Sequence, residues 1–477
     1  MSDELMLAPR ITVAAPADGM PTPALLKTAW AAWLQRKPRF LSLYDYYVGH
    51  QDRRADLDHL RTANYCRYIV EVMAGYLAGN PPQYLARDGD LPGKKVIDEM
   101  TLQRLPQQDI RLIRDMSIYG RAFQLVYHNE RMEPRCAVYR PTDAFVVYDD
   151  TVEHDSVFGA VIHSHLDDNA QTVWELECYD RRYISCWELP GGEASDWVPA
   201  AGKPIKLHGF DRVPLIEYAN DDDYLSDFEG IMGLQDAYND LVTDRVDDKD
   251  AFTETMLLLS GMAIGDTEDS VRTNRVRLFR QKVLQMDEGG KAEYLTHTFD
   301  EAGIQVLQDC LRRDIHKFAM VPDLSDESFA GAQSSLALAY KMFGTDQKAA
   351  TKEALFQLGF LRRCKLYDFA LNNTAAVLAS PEAYTPKADL SGMAVAFRPN
   401  VPQDVQYLAN SLTSLVSAGI LSKQTARQQV PFIDDPGREA EQIEAENQAA
   451  DARTRAQFES DPTQPQEPAA DDGTGTE

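Results

Sequence analysis

The side chains able to do chemistry in this chain are scattered, and their spacing limits what each can be. His163 and His165 stand two apart, so on a strand both imidazoles face one side, as a metal site needs, and Cys178 and Cys186 are available downstream to complete a zinc set. That spacing matches no common zinc pattern, and two half-exposed strand histidines are the simpler reading. Asp149-Asp150 and Asp221-Asp222-Asp223 could hold Mg²⁺ or Ca²⁺, between subunits for example, or serve as a general acid/base pair. Both clusters fall where turns are expected, and aspartates there ordinarily form turns and carry solvated charge. No G-x-x-x-x-G-K-[ST] is present and no G-x-G-x-x-G opens a helix, which argues against a P-loop ATPase or a dinucleotide enzyme. The chain does not read as an enzyme and no cofactor is expected. The rival reading is an acidic metal-dependent hydrolase using Asp149, Asp150 and Asp221.

Two sets of cations invite a different chemistry. Arg272, Arg275, Arg277, Arg280 and Lys282 are interleaved with Val276, Leu278, Phe279 and Val283, as on a strand. Such a strand could contact phosphates or an acidic partner, each phosphate contact weakening with salt, or be a solvated hairpin. Arg245 and Lys249 on one predicted helix, and Arg312, Arg313 and Lys317 on another, could line a channel. They could equally pair with Asp244, Asp247, Asp248 and Asp314, each exposed pair contributing little.

The charge balance bounds the partners. With 48 Lys+Arg against 75 Asp+Glu, the formal charge is −27 over 477 residues. Wrapping nucleic acid requires a basic footprint, so the acidity argues against a DNA-binding module but not against a conduit that must not hold phosphates. Acidity is also the ordinary signature of solubility. The six cysteines are dispersed without a CxxC pair, as expected of reduced thiols in a cytosol. No apolar run approaches the ~20 residues of a membrane span, and the first residues lack the form of a signal peptide, so no membrane partner is expected.

The elements that must position these residues follow from periodicity. Residues 1–22 read as a flexible arm. Residues 23–135 are mainly helical, with a helix over Arg54–Leu77 and another over Gln107–Ile118 that leads into a strand at Arg121–His128. Short Val/Ile/Tyr/Thr-rich runs at Cys136–Tyr139, Ala144–Tyr148, Ala160–His165, Thr172–Cys178, Tyr183–Glu188 and Leu215–Tyr218 predict antiparallel β structure, giving an α+β class. Asp227 to Ser260 reads as one long helix, charged almost all round at its centre. Residues 261–299 form a small insert, and Asp300–Met320 a second helix antiparallel to the first. A polar loop, 321–334, precedes a helix over Ser335–Leu378 with kink points at Gly344 and Gly359. A short strand lies at Val395–Arg398, and 401–448 reads as two or three helices, with starts at Pro402/Asp404 and Ser422 and a stop at Pro431. Residues 449–477 read as a disordered acidic tail.

Several segments carry a resemblance when taken in order: Tyr46-Tyr47-Val48-Gly49-His50, Tyr68-Ile69-Val70 and Gly75-Tyr76-Leu77-Ala78-Gly79-Asn80-Pro81; Ile118-Tyr119-Gly120-Arg121-Ala122 and Tyr148-Asp149-Asp150-Thr151; Val213-Pro214-Leu215-Ile216-Glu217-Tyr218, Asp227-Phe228-Glu229-Gly230 and Leu234-Gln235-Asp236-Ala237-Tyr238; the loop and helix start over 321–341; and Phe397-Arg398-Pro399-Asn400-Val401-Pro402. From about Tyr44 to Glu446 the chain resembles the portal (head-to-tail connector) proteins of tailed bacteriophages, of the type found in long-tailed siphophages.

The resemblance implies a wing over 23–226, stem helices over 227–260 and 300–320, and a clip over 261–299. It also implies a tunnel loop over 321–334, a long kinked helix with a wing return over 335–400, and a crown over 401–448. It implies a structural subunit of a homo-dodecameric ring at one capsid vertex of the virion, assembled in the host cytoplasm, through which double-stranded DNA is packaged and ejected. The partners implied are the terminase large subunit, a head-tail adaptor, and the major capsid and scaffolding proteins. On this reading Ser325, Asp326, Ser328 and Gln333 face the DNA, Arg245, Lys249, Arg312, Arg313 and Lys317 line the stem channel, and Arg272, Arg275, Arg277, Arg280 and Lys282 meet DNA or a partner at the clip. A third reading is a cytosolic scaffold that recruits partners through the acidic tail.

Overall fold

A computed structural model describes residues 10–14, 20–50, 61–166, 172–189, 196–253, 257–260, 272, 291–294, 301–324, 335–372, 384–400, 405–430, 433 and 436–459. The chain divides into two units, Met1–Asn400 and Val401–Glu477.

The first unit opens on strand β1 (Ile11–Val13), which pairs parallel with a later strand, Ile11 opposite Val147. This corrects the reading of 1–22 as a loose arm. Ile11 and Val13 are buried and Thr12 is exposed, an alternation too short to register as a strand signal in the sequence. Helix α1 (Pro23–Val48) starts where the Thr22 side chain accepts from Leu25 N and stops at Gly49, whose φ is +86°. Helix α2 (Tyr65–Ala78) is capped by Asn64, which accepts from Arg67 N; residues 61–64 are not helical, so the helix begins later than the predicted Arg54, and 51–60 lie outside the described residues. Then come β2 (Gln83–Leu85), α3 (Leu91–Leu102) and α4 (Leu105–Tyr119). Gly120 closes α4 at φ +80°, and a Cβ there would stand 2.0 Å from the Tyr224 carbonyl oxygen, so only glycine fits.

Seven strands lie within a few residues of their predicted positions: β3 (Arg121–His128), β4 (Pro134–Tyr139), β5 (Ala144–Asp149), β6 (Ser156–Leu166), β7 (Thr172–Tyr179), β8 (Tyr183–Leu189) and, after the two-residue β9 (Val198–Pro199) and β10 (Lys206–Leu207) that no sequence run predicts, β11 (Leu215–Ala219). Among the described residues β1-β5-β6-β7-β8-β10, with β9 beside β8, form one sheet, and β11-β3-β4 form a second. The first sheet is sealed by indoles. Trp30 stacks on Trp33 at 4.7 Å and meets Trp197 edge-on, over Phe145 and Phe158. Each such fully buried side chain contributes roughly 1.5–3 kcal/mol.

Helix α5 (Met232–Thr253) follows a 3₁₀ turn at Glu229–Ile231, and its predicted extension to Ser260 is wrong. Residues 257–260 form strand β12 (Leu257–Ser260), antiparallel to β13 (Lys291–Tyr294). An unbroken leucine run has no period by which to tell helix from strand. Arg272 is exposed with helical backbone, not on a strand, and Arg275, Arg277, Arg280 and Lys282 lie outside the described residues.

Helix α6 (Glu301–Ala319) returns, and α7 (Ser335–Leu371) runs as one helix through both Gly344 and Gly359. Gly359 is a packing position, since a Cβ there would meet the Tyr218 ring at 2.4 Å. Strand β14 (Ala394–Ala396) pairs with β2. This is an α+β fold.

The second unit holds α8 (Val405–Ser417), α9 (Lys423–Gln428) and α10 (Pro436–Glu459). Ser422 caps α9 by accepting from Thr425 N, as its position suggests. Pro402, Asp404 and Pro431 lie outside the described residues. Helix α10 reaches Glu459, so 449–459 are ordered as helix, contrary to the predicted tail, and 460–477 lie outside the described residues.

Candidate functional site

The charged helix pair and the start of the polar loop form the candidate site. Arg245 on α5 donates to Gln308 Oε1 at 2.6 Å and Gln305 Oε1 at 3.2 Å on α6, and Gln308 Nε2 donates to Tyr238 OH at 2.9 Å. Nearer the body, Ile231, Tyr238 and Phe228 pack with Ile315 and Ala319. Ascending positions on α5 therefore meet descending positions on α6, and the pair is antiparallel. Arg312 lies 3.6 Å from both Asp309 and Asp323, Arg313 donates to the Asp309 carbonyl and to Cys310 Sγ, and the Lys317 ammonium sits 5.7 Å from the Phe318 ring centre. Lys249 is exposed. The contacts of Arg245 and Arg312 thus include glutamines and Asp309 and Asp323, a set that the sequence did not single out.

Helix α6 is closed by Met320, just past its end, whose φ of +57° is left-handed, and the chain that follows is held from three sides. Tyr68 OH, on α2, donates to Pro322 O at 3.2 Å and accepts from Leu324 N at 3.1 Å. From α7, Thr345 Oγ1 donates to Met320 O at 2.8 Å and Lys348 Nζ to Ala319 O at 3.2 Å. His316 Nδ1 donates to Val321 O at 3.1 Å, with its ring met edge-on by Tyr65 and Tyr68. Burial pushes the His316 pKa down, against the pull of Asp323 and the Val321 carbonyl, which favours the neutral ring. The root of the loop, 320–324, is therefore fixed. Ser325, Asp326, Ser328 and Gln333 lie outside the described residues.

Two buried ion pairs lock this site to the rest of the unit. Asp227, just ahead of α5, accepts from Lys352 at 2.5 Å, has Lys348 at 3.2 Å, and accepts from Asn220 Nδ2 at 3.1 Å. Desolvation opposes its ionisation, but the two lysines win and hold the carboxyl well below its usual range. Burial pulls Lys352 down to about 8 despite Asp227, and it also donates to Ser117 Oγ at 2.7 Å. Eleven residues on, Arg363 makes a two-pronged contact with Asp109 at 2.7 and 2.9 Å and donates to Gln124 and to Tyr84 OH, tying α7 to α4, β3 and β2. Apart from Asp227, which opens one of the family-like segments, no pattern in the sequence singles these residues out. Their only local signal is that Lys352 and Arg363 lie on the same buried stripe as Phe356 and Phe360.

Two of the three residues of the rival chemistry hold turns together, and Asp150 is exposed. Asp149 Oδ1 accepts from Thr151 N, Thr151 Oγ1 and Asp155 N, and Asp221 Oδ1 accepts from Leu225 N. His163 Nε2 lies 3.4 Å from the Glu177 carboxylate on the neighbouring strand. Among the described residues no three of His, Cys, Asp and Glu are grouped to hold a metal, and no helix is long and apolar enough to cross a membrane.

Residues 26–453 match the model of a family described as phage portal protein, SPP1 Gp6-like. The chain is also similar to a portal protein of Bacillus phage SPP1, at 22% identity over 396 residues, which cover 81% of this chain and 76% of that relative.

Proposed function

From the premise that this chain belongs to the SPP1 Gp6-like family of phage portal proteins, structural components of the virion's portal vertex, we propose that it closes into a homo-dodecameric ring and passes double-stranded DNA through the bore during packaging and ejection. A closed ring needs head-to-tail interfaces between two different faces of one subunit. The observation that carries this reading is the antiparallel α5–α6 pair running straight into a polar loop whose root is pinned by Tyr68, His316, Thr345 and Lys348. Such a mount delivers one short segment per copy to a common axis, and twelve weak contacts suffice where one would not.

On this reading Arg245, Lys249, Arg312, Arg313 and Lys317 border the channel, and Ser325, Asp326, Ser328 and Gln333 approach the DNA. The 261–299 insert, with Arg272, Arg275, Arg277, Arg280 and Lys282, takes the terminase large subunit and then the head-tail adaptor. The 23–226 region meets the major capsid and scaffolding proteins, and 401–448 faces the capsid interior. The net charge of −27 suits a wall that does not hold phosphates.

The test is the mass of the purified protein by light scattering, with negative-stain images of the same peak. A holed particle near twelve times 53.5 kDa is expected. A compact dimer with no ring under any assembly condition would overturn the reading and return attention to Asp149, Asp150 and Asp221.

A further inference from the structure

We propose that the solvent-facing side of α7 between Tyr340 and Arg362 is the surface on which a second copy of this chain packs. This rests on the ring reading above and names one of the two faces that close the ring. The exposed side chains described on α7 run from Tyr340 and Phe343 through Gln347, Thr351 and Ala354 to Leu358, with Ala350 beside them and Arg362 one turn beyond. At 100° per residue they fill an arc of about 120°, a single face of the helix. Tyr340, Phe343 and Leu358 are 76%, 60% and 59% exposed. The opposite face is spent on Lys352, Phe356, Phe360 and Arg363, so among the described residues nothing in the unit asks for this one to be apolar.

Its charge points to a second copy as the occupant. The chain carries 75 acids, yet none of the exposed side chains described on α7 is a carboxylate, and Arg362 is the one charged residue among them. Copies that each bear −27 repel one another, and repulsion is least, with a basic residue offered to acidic surface, where a face holds no acid of its own. The shape agrees. Ala350, Thr351 and Ala354 in the middle let another element approach closely, while Tyr340, Phe343 and Leu358 stand at the ends to pack around it.

The face also continues past the helix at both ends. At one end, a Cβ on Gly344 would lie 3.6 Å from Met320 Cβ, and Phe318, Met320 and Leu324 at the loop root are each more than half exposed. At the other, Leu355, Leu358 and Arg362 form one wall of a cleft of about 420 Å³ whose facing wall includes Arg10, Asp221 and Tyr224. From Tyr340 to Arg362 the strip is roughly 33 Å long at 1.5 Å per residue. An exposed strip of this extent, largely apolar and free of acid, marks an interaction surface.

The test uses the full chain. The double variant Ala354→Glu/Leu358→Glu is expected to abolish rings or raise the concentration for half-assembly at least tenfold. Its circular dichroism and melting temperature should stay those of wild type, because both side chains face solvent. Leu102→Glu on α3, at a leucine still more exposed than Leu358, is expected to leave rings intact. A photo-crosslinking residue at Thr351 should join two copies of this chain. Wild-type-like rings from the double variant, or crosslinks only within one copy or only to a different protein in an assembling lysate, would overturn the assignment while leaving the ring reading standing. A wild-type protein that forms no ring under any condition would fail that reading and take this inference with it.

Discussion

Lys352 Nζ lies 2.5 Å from Asp227 Oδ2, with 1% and 0% of the two side chains exposed. The contact joins the residue that leads into α5 to the middle of α7, and Lys348 shares the carboxylate at 3.2 Å. The arrangement is asymmetric. Removing the acid takes the shared counter-charge from two lysines, whereas removing Lys352 leaves Asp227 still paired with Lys348 and hydrogen-bonded to Asn220.

Asp227→Ala is therefore expected to destabilise the first unit by about 3–5 kcal/mol, the usual result of breaking a buried pair, and Lys352→Met by less. Denaturant titration of each variant checks the order. Equal effects, or none, would mean the pair does not hold α5 to α7.

Tyr68→Phe removes one hydroxyl that both donates to Pro322 O and accepts from Leu324 N. A hydrogen bond of this kind contributes about 0.5–1.5 kcal/mol. Hydrogen exchange at the Leu324 amide should accelerate several-fold with the melting temperature nearly unchanged. No change in that exchange would show that the loop root does not depend on the tyrosine.

His208 supplies the pH dependence. Burial pushes it down from 6.5 to about 4, helped by His128 and opposed by the Asp180 carbonyl and Asp211; its Nδ1 accepts from Phe210 N. Between those values the unfolded chain binds the extra proton. The neutral ring's contribution is thus full above about 6.5 and lost as pH falls towards 4, up to about 3 kcal/mol. Thermal unfolding of His208→Gln should be flatter than wild type across that window, and parallel curves would remove the histidine from the account.

Deleting 325–333 spares Leu324 and the whole root. On the proposed function, rings should form in normal yield and DNA filling should fail. Normal filling, measured by nuclease-protected DNA in assembled heads, would show that the loop does not serve the DNA.

Local pattern in the sequence determined the α+β class, the seven longer strands between Arg121 and Ala219 and the Ser422 cap, because periods of 2 and 3.6 and cap chemistry act over a few residues. The ordered motifs of the family were legible there too. Tertiary structure alone decided that Ile11–Val13 joins a sheet, that Leu257–Ser260 makes a strand and that α7 runs unbroken through two glycines. It alone brought Asp109 to Arg363 across 254 residues, Asp227 to Lys352 across 125 and Tyr68 to Leu324 across 256. Such partners lie far outside any local window. A buried lysine or arginine also contradicts the hydropathy rule by which buried positions are recognised, so only the chain's closure around its partner shows why it is there.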